Sequence, residues 1–185
     1  VWLSEAGTLD VRIDAVFDAH AGVTDRFGRV TPWGEPHHFG YSFFFVPMDW
    51  AVDFWIWDQH GSDPRTQPEA FAKVVSGPPV HSMATDDLGF NWSRSPAEGV
   101  SPDYFATRAA GRVNVPAGTY LLDLTSDDGV RVRLDGEVIH EDWTWHAPKQ
   151  EVLTLELDGA HMIEIEHFEI NWFAALVASL RHVGY

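Results

Sequence analysis

Gly118-Thr-Tyr-Leu-Leu-Asp-Leu-Thr-Ser-Asp-Asp-Gly-Val-Arg-Val-Arg-Leu134 is the stretch that decides the fold. On both sides of Ser126-Asp127-Asp128-Gly129 the residues alternate apolar and polar, which is the period of a half-buried strand. Two strands therefore converge on two adjacent carboxylates. Such a pair repels itself. At the end of a strand it points to a cation or a ligand.

The pattern extends in both directions from there. Downstream, Val130, Val132 and Leu134 share one face while Arg131, Arg133 and Asp135 share the other. Asp135-Gly136 is a two-residue hairpin signal, which predicts a returning strand over 137–141. Leu153, Leu155 and Leu157 mark one face of a strand over 152–157. Asp158-Gly159-Ala160 then reads as a turn into a strand over 161–168. Residues 174–181 read as a closing strand, although their Ala and Leu content also suits a helix. Upstream, 104–115 reads as a strand kinked at Gly111, and Pro116-Ala117-Gly118 as a turn. Residues 88–92, 50–57, 39–46 and 8–14 read as further strands. Residues 68–75 suit a short helix with Pro68 in its first turn. Residues 21–28 and 31–38 read as loops. Short strands parted by Gly, Asp and Pro turns predict an all-β chain, an antiparallel sandwich or barrel with few or no helices.

The composition agrees. The chain has 185 residues, 45% of them apolar and 22% charged, which suits one folded domain, with or without an extension. Nine Trp lift the aromatic share to 14%, a surplus used either in large β cores or on surfaces that face sugars and partners. The net charge of −16 opposes nucleic acid and attracts cations. With no cysteine, disulfides and thiolate chemistry are excluded. No apolar run is long enough to insert in a membrane as a helix. The sequence starts at Val1 and shows no leader, which suggests a processed protein or a piece of a larger one.

An ordered series of motifs over 88–181 resembles the PA14 domain, a β module of bacterial toxins, glycosidases and adhesins. The series runs through Phe90-Asn-Trp92, Ser95-Pro96, Phe105-x-x-Arg108-x-x-Gly111 and Pro116-Ala-Gly-Thr-Tyr120. It continues with Ser126-Asp-Asp-Gly-Val130, Leu134-Asp-Gly136, Trp143, Glu164-Ile-Glu-His-Phe-Glu169 and Ala174-Ala-x-Val177. Trp50-x-Val-x-Phe54 and Gly77-x-Pro79 are similar to the family's opening. The resemblance therefore implies a PA14-like domain over 49–185. Residues 1–48 are left as an extension or the end of a preceding domain.

In calcium-dependent members of that family two aspartates joined by a cis peptide bind calcium and, through it, sugar hydroxyls. The resemblance carries this role to Asp127 and Asp128. Two neighbouring carboxylates on a loop are suitable oxygen ligands for calcium. The alternative is structural, with one Asp bonding backbone amides in a tight turn. Further ligands are expected from Glu169-Ile-Asn-Trp-Phe173, where Asn171 offers a side-chain oxygen and Trp172 is either a sugar platform or core. Trp145 is a second platform candidate, with an ordinary exposed loop aromatic as the alternative, and Trp143 reads as core. Ten histidines show no zinc-ligand spacing, and Asp86-Asp87 reads as a solvated turn.

No nucleophile elbow, metalloprotease motif or phosphate loop is present in the sequence. The expectation is a non-catalytic, secreted or surface-exposed module that binds a glycan or polysaccharide through calcium. The alternative is a structural or accessory domain of a larger glycoside hydrolase or surface protein, packed against a neighbouring domain.

Overall fold

The computed structural model describes residues 2–3, 8–13 and 39–183, with side chains from 45 to 183. The chain divides into two compact units, 1–44 with 184–185, and 45–183. In the first unit, β1 (Trp2–Leu3), β2 (Thr8–Ile13) and β3 (Phe39–Val46) pair antiparallel in succession. The expected loops over 21–28 and 31–38, with His37 and His38, lie outside the described residues.

The second unit is built on two very long strands, β7 (Phe105–Asp127) and β10 (Lys149–Glu169), paired antiparallel over almost their whole length. Between Val115 and Gly118 on β7, and between Leu157 and Gly159 on β10, the ladder shifts register. Each long strand so serves two layers. The first half of β7 and the second half of β10 lie in one layer. There β4 (Trp50–Ile56) and β5 (His81–Thr85) flank β7, while β8 (Val130–Leu134) and β9 (Glu137–Asp142) flank β10. The other halves form the second layer, in which β7 pairs with β11 (Ala174–Val183) and β11 with β6 (Leu88–Trp92).

The layers face each other through side chains. Phe54 of β4 meets Trp92 of β6 edge-to-face at 5.9 Å, although the two strands share no hydrogen bond. Between them lie Val52, Leu122, Val132, Ile163, Ile165 and Leu176, all essentially inaccessible. The arrangement is an open antiparallel sheet folded into a sandwich. Among the described residues no ring of hydrogen bonds closes it into a barrel.

Several sequence expectations need correcting. Pro116-Ala117-Gly118 and Asp158-Gly159-Ala160 are not turns, because both strands run on through them. The pairing bends there instead, and Gly159 takes φ 82° to allow it. Nor does Gly111 kink the chain: it lies in register inside β7, opposite Trp50 and Ile163. Residues 81–85 form a strand that the sequence pattern did not announce. Asp135 and Gly136 do make the hairpin, with φ 51° and 88°, the two positive values that a tight two-residue turn requires.

The helix α1 (Pro68–Val75) falls where expected, with Pro68 in its first turn and Ser76 bonding Ala72 O through its amide. It covers the outer face of the first layer. Phe71 packs on Trp57, Trp143 and Phe168 at 5.6–6.4 Å. This explains why 50–57 is apolar on both faces: Val52 and Phe54 point into the sandwich, Trp55 and Trp57 toward the helix side.

Register places one end of the sandwich apart. Here β4 ends and β7 begins (Ile56 opposite Phe105), β10 ends (Glu169 opposite Phe105) and begins (Lys149 opposite Ser126), and β9 ends (Asp142 opposite Val130). The crossings from β7 to β8 and from β10 to β11 both pass between the layers at this end. Ser126-Asp127-Asp128-Gly129 is the first of those crossings.

Candidate metal centre

The peptide between Asp127 and Asp128 is cis. Both side chains are buried, 6% and 1% exposed. Asp128 is fixed from two directions: Oδ1 accepts the amide of His146 at 3.0 Å and Oδ2 that of Ile170 at 2.9 Å. One carboxylate so ties the β9–β10 loop and the β10–β11 loop to the β7–β8 crossing. Beneath them His167, fully buried, donates Nε2–H to the carbonyl of Asp127 at 2.8 Å. Burial pushes its imidazole down to about 4, so it is neutral.

Gly129 completes the turn because nothing larger fits. A Cβ there would fall inside the ring of Phe168. That ring is fully buried and packs edge-to-face on Trp143 at 4.8 Å. Trp143 in turn lies under the guanidinium of Arg131 and donates its Nε1–H to Pro64 O. Where the sequence reading had it as core, Trp143 is partly buried and packs against the cluster of Phe71 and Phe168.

The third acid of the site is Glu169, which sequence reasoning placed only at the edge of a loop. It is fully buried and neither carboxylate oxygen makes a well-formed hydrogen bond, the Asp128 amide offsetting its burial only weakly. One oxygen from each of Asp127, Asp128 and Glu169 lies within 4.8 Å of the others. Desolvation, and then the charges of Asp128, Asp127 and Asp103, push the Glu169 carboxyl up to about 10. Asp127 is raised to about 6 by burial and then by Asp128. Asp128 is raised by burial, opposed by its two amide bonds. At an effective dielectric near 20, each ionised pair at this spacing costs about 3 kcal/mol. Three such pairs rival the whole stability of a typical domain.

A hard divalent cation removes that cost. Calcium sits about 2.4 Å from its oxygen ligands, so ligands on opposite sides of one ion are about 4.8 Å apart. The spacing of the three oxygens, with both oxygens of Glu169 unpartnered, is compatible with one such ion.

The remaining predicted residues lie on the surrounding loops. Asn171 is half-buried, and its Oδ1 accepts Nε1–H of Trp145 at 3.3 Å. Trp145 and Trp172 are 54% and 82% exposed, so neither belongs to the core. Trp172 has φ 86°, a strained value for a bulky residue. Its amide is held by Asp103 Oδ1 at 3.1 Å. Asp86 and Asp87 form an exposed bend pinned by the Thr85 hydroxyl.

With the cis pair on a crossing between two layers, the sequence motifs and the fold lead to one assignment, and the PA14 domain profile matches residues 65–183. The chain belongs to the PA14 domain family. Among solved structures, the PA14 domain matches an anti-sigma factor domain-containing protein at 16% identity and TM-score 0.57. That match covers 74% of this chain but only 42% of the other. It matches the PA14 sugar-binding domain from an RTX adhesin at 17% identity and TM-score 0.56, covering 74% of this chain and 90% of the other. It matches the PA14 domain of the MpAFP antifreeze protein at 15% identity and TM-score 0.57, covering 83% and 88%. At such identities the likeness is one of fold. A comparison with curated proteins finds no match. Among the described residues of the PA14 chain, no helix is long and apolar enough to cross a membrane.

Proposed function

We propose that this PA14 domain is a calcium-dependent, non-catalytic carbohydrate-binding module that works outside the cell or at its surface. The observation that carries the reading is Glu169, a buried acid with both oxygens unpartnered beside two further buried carboxylates. In this reading Asp127, Asp128 and Glu169 hold the ion, and Asn171 supplies a further side-chain oxygen. Calcium takes six to eight ligands. Positions not taken by protein oxygens would be open to vicinal hydroxyls of a neutral sugar, which is the chemistry the ion would supply. Trp145 and Trp172 offer faces for the apolar side of the ring. The sugar-binding relative from an adhesin supports the substrate class, and the adhesin and antifreeze relatives support the location.

Calorimetry tests this directly. Calcium chloride is titrated into chelator-treated protein, and neutral monosaccharides are then titrated with calcium and with excess chelator. The reading expects saturable calcium binding and sugar binding only in its presence. Sugar binding that survives chelator would remove the metal from the mechanism. No calcium heat with the wild type would favour the structural reading, an accessory domain of a larger glycoside hydrolase or surface protein. That alternative has one observation of its own: both oxygens of Asp128 are already engaged by backbone amides.

A further inference from the structure

In its first half, from Lys149 to Leu157, β10 is paired on one side only, with β7. Its pairing with β8 begins at Ile163. Among the described residues no strand covers the other side of 149–157. Such an edge presents a row of unpaired N–H and C=O groups that bind another strand unless the edge is blunted.

The other marginal strands are blunted. β5 and β6 have five residues each. In β9 Val138 faces Arg133 and His140 faces Val132, which leaves Ile139 as a bulge. The stretch 149–157 has no such defence: it holds neither Pro nor Gly, and its register with β7 is unbroken up to Leu157. β9 runs along the same margin, since His140 Nε2 lies 2.7 Å from Glu151 Oε2 and Lys149 Nζ 2.5 Å from Asp142 Oδ2. Val138, Ile139 and Val152 therefore expose apolar side chains on one side of the sandwich.

The edge is complementary to itself. Residues directly opposite in an antiparallel pair share one face and touch. With a two-fold axis at Leu153, Val152 faces the partner's Thr154, Gln150 the partner's Glu156 and Glu151 the partner's Leu155. β-branched residues meet, and no like charges are opposed, in a chain that carries −16. An axis one residue further on, at Thr154, sets Val152 against the partner's Glu156 instead. Two-fold pairing also closes on itself, because it uses up the edge of both copies.

We propose that the chain forms a two-fold dimer by antiparallel pairing of 149–157 with the same segment of a second copy, with Val138 and Ile139 flanking the axis. β6, β11, β7 and β10 of each copy then join into one continuous layer. Because β10 starts at the carboxylate end, the antiparallel axis points the two carboxylate centres in opposite directions. The proposal is independent of the metal and of the sugar.

Sedimentation velocity from low micromolar to about 0.1 mM tests it, a range that detects a dimer of micromolar Kd. Self-repulsion of the net charge makes the dimer tighten as salt rises from about 0.05 to 0.5 M. Val152→Glu, at an exposed position, sets a carboxylate diagonal to the partner's Glu156 at both symmetric contacts. It raises the dimer Kd about tenfold and leaves the Tm of the dilute monomer unchanged. The chain has no cysteine, so an equal mixture of Val152→Cys and Thr154→Cys, mildly oxidised, reads the register. The mixed disulfide forms beyond random proportions. A monomer at every concentration and salt overturns the proposal. So does a dimer that Val152→Glu leaves intact, or disulfides formed in random proportions.

Discussion

Replacing Glu169 with Gln keeps the shape of the site and removes one of its three charges. In the metal-free protein the Glu169 carboxyl is pushed up to about 10 from an ordinary value of 4.5. An acid whose folded value lies above its unfolded value holds an extra proton in the native state. Its stabilisation is complete below the unfolded value and is lost as pH rises toward the folded one. The loss runs at about 1.4 kcal/mol per pH unit for one proton. Two neighbours titrate lower. Asp127, raised to about 6, weakens the fold between its ordinary 3.8 and about 6. His167, lowered to about 4, acts oppositely and strengthens it as pH rises toward 6.5. Above pH 6.5 the slope belongs to Glu169. For a domain of this size it amounts to a fall of about 4 °C in Tm per pH unit.

The assay is a series of thermal melts from pH 6.5 to about 9 in chelator and in excess calcium chloride. Wild type in chelator should show the falling Tm, and calcium should flatten it by displacing the proton. Glu169→Gln should lose the slope in chelator and be more stable there than the wild type at the alkaline end. It should also lose most of the calcium-induced shift. A variant whose slope in chelator matches the wild type would refute the reasoning, because the repulsion would then lie elsewhere.

Three other outcomes are expected. Gly129→Ala drives a methyl group into the buried ring of Phe168 and should cost about 2–3 kcal/mol in urea unfolding, with and without calcium. Asp128→Asn turns one of its two amide-accepting oxygens into a donor. It should abolish calcium binding by calorimetry and destabilise the metal-free fold by about 1–3 kcal/mol. Trp172→Ala removes a side chain that is 82% exposed, so calcium affinity and Tm should hold while sugar affinity drops about three- to tenfold.

The sequence made the strands around Asp127 and Asp128 legible because each obeys a local period of two, and because the acid pair interrupts it. The helix over 68–75 and the hairpin at Asp135-Gly136 were legible for the same reason: Pro and Asp-Gly act locally. The corners in β7 and β10 were not. A Gly with positive φ serves a turn and a bend equally well, and only the pairing partner distinguishes them. Glu169 was missed although a signal existed. Ile163, Ile165, His167 and Glu169 share one parity, and all four are buried. A His and a Glu that continue the inward face of an Ile-rich strand mark a buried polar site.

The crossing at Asp127-Asp128 meets the end of β10, and the two are far apart in sequence, with Asp128 and Ile170 separated by 42 positions. A cation held jointly by Asp128 and Glu169 is then a cross-link. By loop-closure entropy, a covalent staple around a loop of roughly forty residues is worth about 4 kcal/mol. In a chain with no cysteine, such a staple would be indifferent to redox conditions and governed by the local calcium concentration. The end of the sandwich where the two crossings meet would be held more tightly wherever calcium is plentiful.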